Sequence, residues 1–79
     1  MNITLSKRAA KTLQAMNEPM KSRIKRGIGG LPMGDVKKLQ GFATAYRLRV
    51  GDYRILYEME SGEIVIREIL PRGEAYKNI

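Results

Sequence analysis

The sequence predicts an α+β fold in which two N-terminal helices pack on one face of a small, mainly antiparallel β-sheet. Three observations predict it. Apolar residues recur at three- and four-residue spacing from Leu5 to Ile28, then alternate with polar residues from Ala45 onward, and two short turn sequences cut that alternating half into segments. With 79 residues there is material for one domain spanning 1–79, with a core small for its surface.

Met1-Asn-Ile-Thr-Leu5 alternates apolar and polar side chains, which predicts a short first strand, and Ser6 is a good N-cap for a helix behind it. Leu5, Ala9, Leu13 and Met16 form the apolar stripe of that helix, which leaves Lys7, Arg8, Lys11 and Gln14 largely in water and ends near Asn17. Glu18-Pro19 restarts the pattern with the stripe Met20, Ile24 and Ile28, and Gly27, Gly29 and Gly30 are expected to stop it. Gly27-Ile-Gly-Gly30 lacks the Lys-Ser/Thr and the preceding strand of a phosphate loop, so it reads as a helix stop. Both helices are too short to stand alone and need a flat apolar partner.

That partner begins after a loop from Leu31 to Asp35 and a connector from Val36 to Gly41. Ala45 to Val50 reads as a strand with Tyr46, Leu48 and Val50 on one side and Arg47 and Arg49 on the other. Gly51-Asp52 is a two-residue hairpin turn whose order suits type II′. Tyr53 to Met59 forms the second strand, Ser61-Gly62 turns the chain again, and Glu63 to Leu70 forms the third, ended by Pro71.

Composition narrows the chemistry. There is no cysteine and no histidine, which excludes disulfides, thiolate metal sites, the usual zinc ligands and the usual acid/base residue. No metal or other cofactor is therefore expected, and any catalysis must run on Arg, Lys, Tyr or carboxylates. The net charge is 15 − 8 = +7. Residues 1–38 carry nine Lys/Arg against two acids and residues 39–79 six against six, so the helical half supplies the long-range attraction for a polyanion. Met1 to Leu13 contains Lys7, Arg8 and Lys11 and no long apolar stretch, so neither a signal peptide nor a membrane partner is expected, and the location expected is cytoplasmic.

Arg47 and Arg49 fall on one side of their strand roughly 7 Å apart, a spacing near that of successive RNA phosphates. Across the Gly51-Asp52 turn Arg54 comes round to the same side, because Tyr53, Ile55 and Tyr57 share the other side with Leu48 and Val50. Arg72 and Tyr76 follow the third strand and can close the patch. Arginine is a poor proton carrier, so Tyr76, Glu74 and Lys77 are the candidates for proton transfer. The plainer reading is a solvated sheet face neutralised by Glu58, Glu60 and Glu68, with Tyr46, Tyr53 and Tyr57 in the core.

Three stretches in order, Lys37-Lys-Leu-Gln-Gly41, Tyr46-Arg-Leu-Arg-Val-Gly-Asp-Tyr-Arg-Ile-Leu-Tyr57 and Arg72-Gly-Glu-Ala-Tyr76, resemble the RelE-type branch of the RelE/ParE toxin superfamily of prokaryotic toxin–antitoxin systems. The likeness covers about half the chain closely and the helical half in pattern. It implies the same fold and an activity, endonucleolytic cutting of messenger RNA held in the ribosomal A site. It also implies a cognate antitoxin that wraps and neutralises the toxin, and operator DNA as a partner only through the antitoxin complex. Carried over by position, Arg47, Arg49, Arg54, Arg72 and Tyr76 are the expected catalytic residues, and Lys37, Lys38 and Lys77 are expected to bind RNA. Members often carry lysine at the positions of Arg47 and Arg49, which leaves the identity of the proton acceptor open. Two other functions fit the same fold: a gyrase inhibitor of the ParE branch, against which the complete Arg-x-x-x-Tyr tail argues, and a relative that binds nucleic acid without cutting it.

Overall fold

The structure, a computed structural model, describes residues 2–71. Its elements are β1 (Asn2–Leu5), α1 (Lys7–Ala15), α2 (Met20–Gly29), β2 (Val36–Lys38), β3 (Ala45–Val50), β4 (Tyr53–Glu60) and β5 (Glu63–Pro71). The strands form one sheet in the order β1-β5-β4-β3-β2, antiparallel except where β1 runs parallel to β5. This is the α+β architecture the sequence predicts, with one strand more.

The added strand is β2. Val36 to Lys38 is expected to be a connector but pairs with β3 along Val36↔Leu48, Lys37↔Arg47 and Lys38↔Tyr46. Backbone bonds extend the pairing at both ends, Arg49 N to Asp35 O at 2.9 Å and Leu39 N to Ala45 O at 3.0 Å. A three-residue edge strand needs only these main-chain bonds, so its side chains need not alternate.

Ser6 fixes α1 to the sheet. Its Oγ accepts from Ala9 N at 3.0 Å and donates to Arg67 O at 2.7 Å, while its own N–H bonds Ile66 O at 2.8 Å. Helix α1 therefore begins where β1 ends, and it lies over β5. Glu18 starts α2, its Oε1 accepting from Ser22 N at 2.9 Å and Ser22 Oγ at 2.6 Å. The helix then runs through Gly27 and ends at Gly30. Gly27 is thus no stop. A Cβ there would stand 2.7 Å from Val50 Cγ2 and 3.5 Å from Leu48 Cδ2, so the missing side chain lets α2 press directly on β3.

The core forms between that helical layer and one face of the sheet. Ala9, Leu13, Ile24 and Ile28 bury themselves against Leu48, Ile55, Tyr57, Ile64, Ile66 and Ile69. The isoleucines of β5 are spaced two and then three apart. A β-bulge accounts for this: Tyr57 pairs with Ile66 but Leu56 with Glu68, leaving Arg67 as the extra residue. The β3–β4 hairpin closes on Gly51, whose φ of +58° at the first turn position is what type II′ requires. Among the described residues no helix is long and apolar enough to cross a membrane.

Candidate functional site

Residues directly opposite each other on paired strands share a face of the sheet. Arg49 stands opposite Arg54, Arg47 opposite Leu56, and Lys37 opposite Arg47. Leu48 and Val50 meet α2, so their face is the covered one, and Lys37, Arg47, Arg49 and Arg54 share the face turned away from the helices. Lys38 stands opposite Tyr46 and so belongs, exposed, to the other face. The structure brings Lys37 to the arginines and separates Lys38 from them. Arg72, Glu74, Tyr76 and Lys77 lie outside the described residues.

The three arginines differ in environment. Arg49 is exposed. Arg54 is only 8% exposed although it faces away from the helices, and its Nε is buried with no partner among the described residues. Its Nη1 reaches Tyr53 O at 3.5 Å, the outer limit of a hydrogen bond. Arg47 has a 14% exposed side chain whose Nη1 donates to Asp35 O at 3.3 Å and lies 3.6 Å from Asp35 Oδ1; its Nε too is buried without a partner. Asp35 was not legible as its partner, because only the pairing of β2 brings it to β3.

Neutralisation by the sheet's own glutamates does not describe this face. Glu68 accepts from Arg8 Nη1 at 2.6 Å, and Glu58 pairs with Arg67. Among the described residues no carboxylate lies within ion-pair distance of Arg49 or Arg54. A buried guanidinium with unused donors, opposite a second arginine, makes a site of positive potential suited to an anion with several oxygens.

The tyrosines support the face from behind. Tyr57 is buried and stacks on Tyr46 with ring centroids 5.5 Å apart and planes 17° from parallel. Burial pushes the Tyr57 phenol up from its ordinary value near 10, with Tyr46 adding to the shift. Among the described residues no group of His, Cys, Asp or Glu is arranged to hold a metal ion.

Residues 3–76 match the family described as the ParE toxin of the type II toxin-antitoxin system parDE. Putative toxin RelE1 of Methanocaldococcus jannaschii is 31% identical across 98% of this chain and 96% of its own length. The chain belongs to the RelE/ParE toxin family, on its RelE-type branch. Toxin RelE3 of the same organism is 43% identical to this RelE-type toxin over 42 residues, 53% of this chain and 48% of that relative, so the match spans about half of each. The likeness extends to three dimensions. A chain in the crystal structure of the RelB-RelE antitoxin-toxin complex from Methanococcus jannaschii superposes with a TM-score of 0.78 and 30% identity, over 96% of this RelE-type toxin and 98% of that chain.

Proposed function

We propose that this RelE-type toxin is an endoribonuclease that cuts messenger RNA in the ribosomal A site and so inhibits translation. The observation that carries the reading is Arg54, a buried guanidinium with unused donors that stands opposite Arg49 and meets no acid among the described residues. A buried cation that meets no acid among the described residues weakens a fold, so its presence on this face favours a role toward a ligand.

In the proposed reaction the RNA's own 2′-oxygen bonds to the adjacent phosphorus and the bond to the 5′-oxygen of the next nucleotide breaks. The products are a 2′,3′-cyclic phosphate and a 5′-hydroxyl. Charge on the non-bridging oxygens is greatest at the pentacoordinate transition state, where donors of Arg47, Arg49, Arg54 and Arg72 stabilise it more than the ground state. The 2′-hydroxyl proton passes to whichever of Tyr76, Glu74 and Lys77 is deprotonated, and another of the three, protonated, gives a proton to the departing 5′-oxygen, since a guanidinium stays protonated throughout. Lys37 and Lys77 hold the flanking backbone, while Lys38, on the other face, adds only to the attraction of the polyanion. The antitoxin complexes of its structural relatives support a cognate antitoxin as partner, and operator DNA is reached through that complex. The chemistry uses no cofactor, and the site of action is the cytoplasm.

The test is primer extension on messages in a reconstituted translation reaction, with and without ribosomes, for wild type and Arg54→Ala. Cuts at A-site codons that need ribosomes and vanish in the variant are the expected result; intact messages with wild-type protein reject the reading. The family's description by its ParE member favours one second reading, a gyrase inhibitor without chemistry of its own. DNA breaks and loss of supercoiling, with messages left whole, would establish that reading instead.

A further inference from the structure

Asp35 stands on the rung of Arg49. Val36 pairs with Leu48, so the residue before Val36 meets the residue after Leu48, and the bond from Arg49 N to Asp35 O at 2.9 Å completes that rung. Asp35 therefore shares the face of the arginines, on a row that runs Asp35, Arg49, Arg54 across the sheet. Arg47 belongs to the next row of that face, between Lys37 and Leu56.

The head of Arg47 is nevertheless found at Asp35. Its Nη1 donates to the Asp35 carbonyl at 3.3 Å and lies 3.6 Å from Asp35 Oδ1, a distance for attraction between charges rather than for a hydrogen bond. To reach that position the side chain leans along β3, toward the row that carries Arg49 and Arg54. The lean carries one guanidinium toward two others, which mutual repulsion opposes. Among the described residues Asp35 is the one carboxylate within ion-pair distance of any of the three. Its side chain is 62% exposed, so it keeps much of its hydration, while its carbonyl is fixed by bonds from both Arg49 N and Arg47 Nη1.

We propose that Asp35 is a positioning residue, which draws the Arg47 guanidinium along β3 so that three arginines converge on one phosphate. The proposal rests on the endonuclease reading for the reaction that Arg47 serves. Asp35 acts through Arg47 and offsets the repulsion that would otherwise spread the cluster. An acid in this place has two opposed effects. Its charge repels RNA, which weakens binding, and its hold on Arg47 keeps a donor where negative charge develops, which speeds the chemistry. Only the second effect needs Arg47.

The test is the rate of message cutting in the reconstituted translation reaction as programmed ribosomes are varied, for wild type, Asp35→Asn, Arg47→Ala and the double variant. Asp35→Asn keeps the size of the side chain and the main-chain bond to Arg49. It is expected to lower kcat about tenfold, short of the roughly hundredfold that loss of a whole donor costs, and to leave KM unchanged or lower. In the Arg47→Ala background the same change is expected to cost less than about twofold. Equal losses in both backgrounds, a raised KM, or a kcat that Asp35→Asn leaves unchanged overturn the proposal. A second measurement needs no ribosome: NMR relaxation of the arginine Nε–Hε groups in the full-length chain. Arg47 is expected to gain motion in Asp35→Asn and Arg49 to stay as it is; an Arg47 equally restrained in both chains overturns the proposal whether or not the chain cuts RNA. Wild-type protein that leaves messages whole while Arg47 loosens in the variant rejects only the endonuclease reading.

Discussion

Arg54 and Tyr57 sit three residues apart on β4, each with a buried polar atom that finds no partner among the described residues, and they invite opposite experiments. Removing the Arg54 charge while keeping its volume relieves a buried cation that has no acid beside it among the described residues. Arg54→Met is therefore expected to raise stability by about 1 kcal/mol in urea unfolding while lowering message cutting by about a hundredfold. Gain on one assay with loss on the other separates a ligand site from a packing residue. Tyr57 has a phenol held neutral by burial, so its pKa is raised in the fold. The unfolded chain then loses the proton first, and stability is full below the unfolded value near 10 and declines as pH climbs through the folded value. Tyr57→Phe is expected to flatten that alkaline decline in unfolding midpoints measured from pH 8 upward. The sequence made the facing of both residues legible, because strand parity alone decides it. The burial of Arg54 was not legible beside the exposure of Arg49, since two arginines on one rung have the same parity and differ only in what surrounds them.

At the scale of elements, α2 meets β3 at a position where only a glycine fits. Gly27→Ala gains up to about 1 kcal/mol of helix propensity but drives a methyl into Val50 Cγ2, a short branched side chain that cannot swing away. The clash is the larger effect, with a net loss of about 1–2 kcal/mol expected, and Val50→Ala in the same chain is expected to return part of it. Denaturant midpoints of the two single variants and the double variant measure this. Legibility follows the strength of the local pattern. Strands β3 and β4 were readable from period-two alternation, and the start of α1 from Ser6. Strand β2 was not, because Val36-Lys-Lys38 has one apolar residue, too few to show an alternation, and is paired by main-chain bonds that leave no trace in sequence. Gly29 and Gly30 do end α2, but Gly27 was misread, because a glycine that permits close packing looks, in sequence, like one that stops a helix.

Over the whole molecule, charge is more polarised than its sum. Along the middle of β4 and β5 Arg8 meets Glu68 and Arg67 meets Glu58, while Arg49 and Arg54 at the hairpin end meet no acid among the described residues. Affinity for a single-stranded RNA is expected to fall with salt, each phosphate contact adding about 0.7 to the slope of log affinity against log salt. Arg49→Gln is expected to lower that slope by about one contact and Arg67→Gln to leave it unchanged; filter binding from low to moderate salt distinguishes the two. Equal effects from both would place the polyanion elsewhere.

The extra residue at Arg67 leaves β5 one residue longer than its ladder needs. With Arg67 removed, Ile66 still meets Tyr57, Glu68 still meets Leu56 and Ile69 still meets Ile55, so every core side chain keeps its neighbours. What goes is the local bend and the carbonyl that anchors Ser6. A chain shortened by that one residue is expected to fold with modest loss of stability, since Pro71 keeps its place opposite Tyr53 and only the bend between Ile66 and Glu68 is lost. Deletion scanning along β5 by circular dichroism and urea unfolding would reveal the difference: position 67 alone should give a folded protein, marking the bulge as slack that the ladder can lose without disturbing its core.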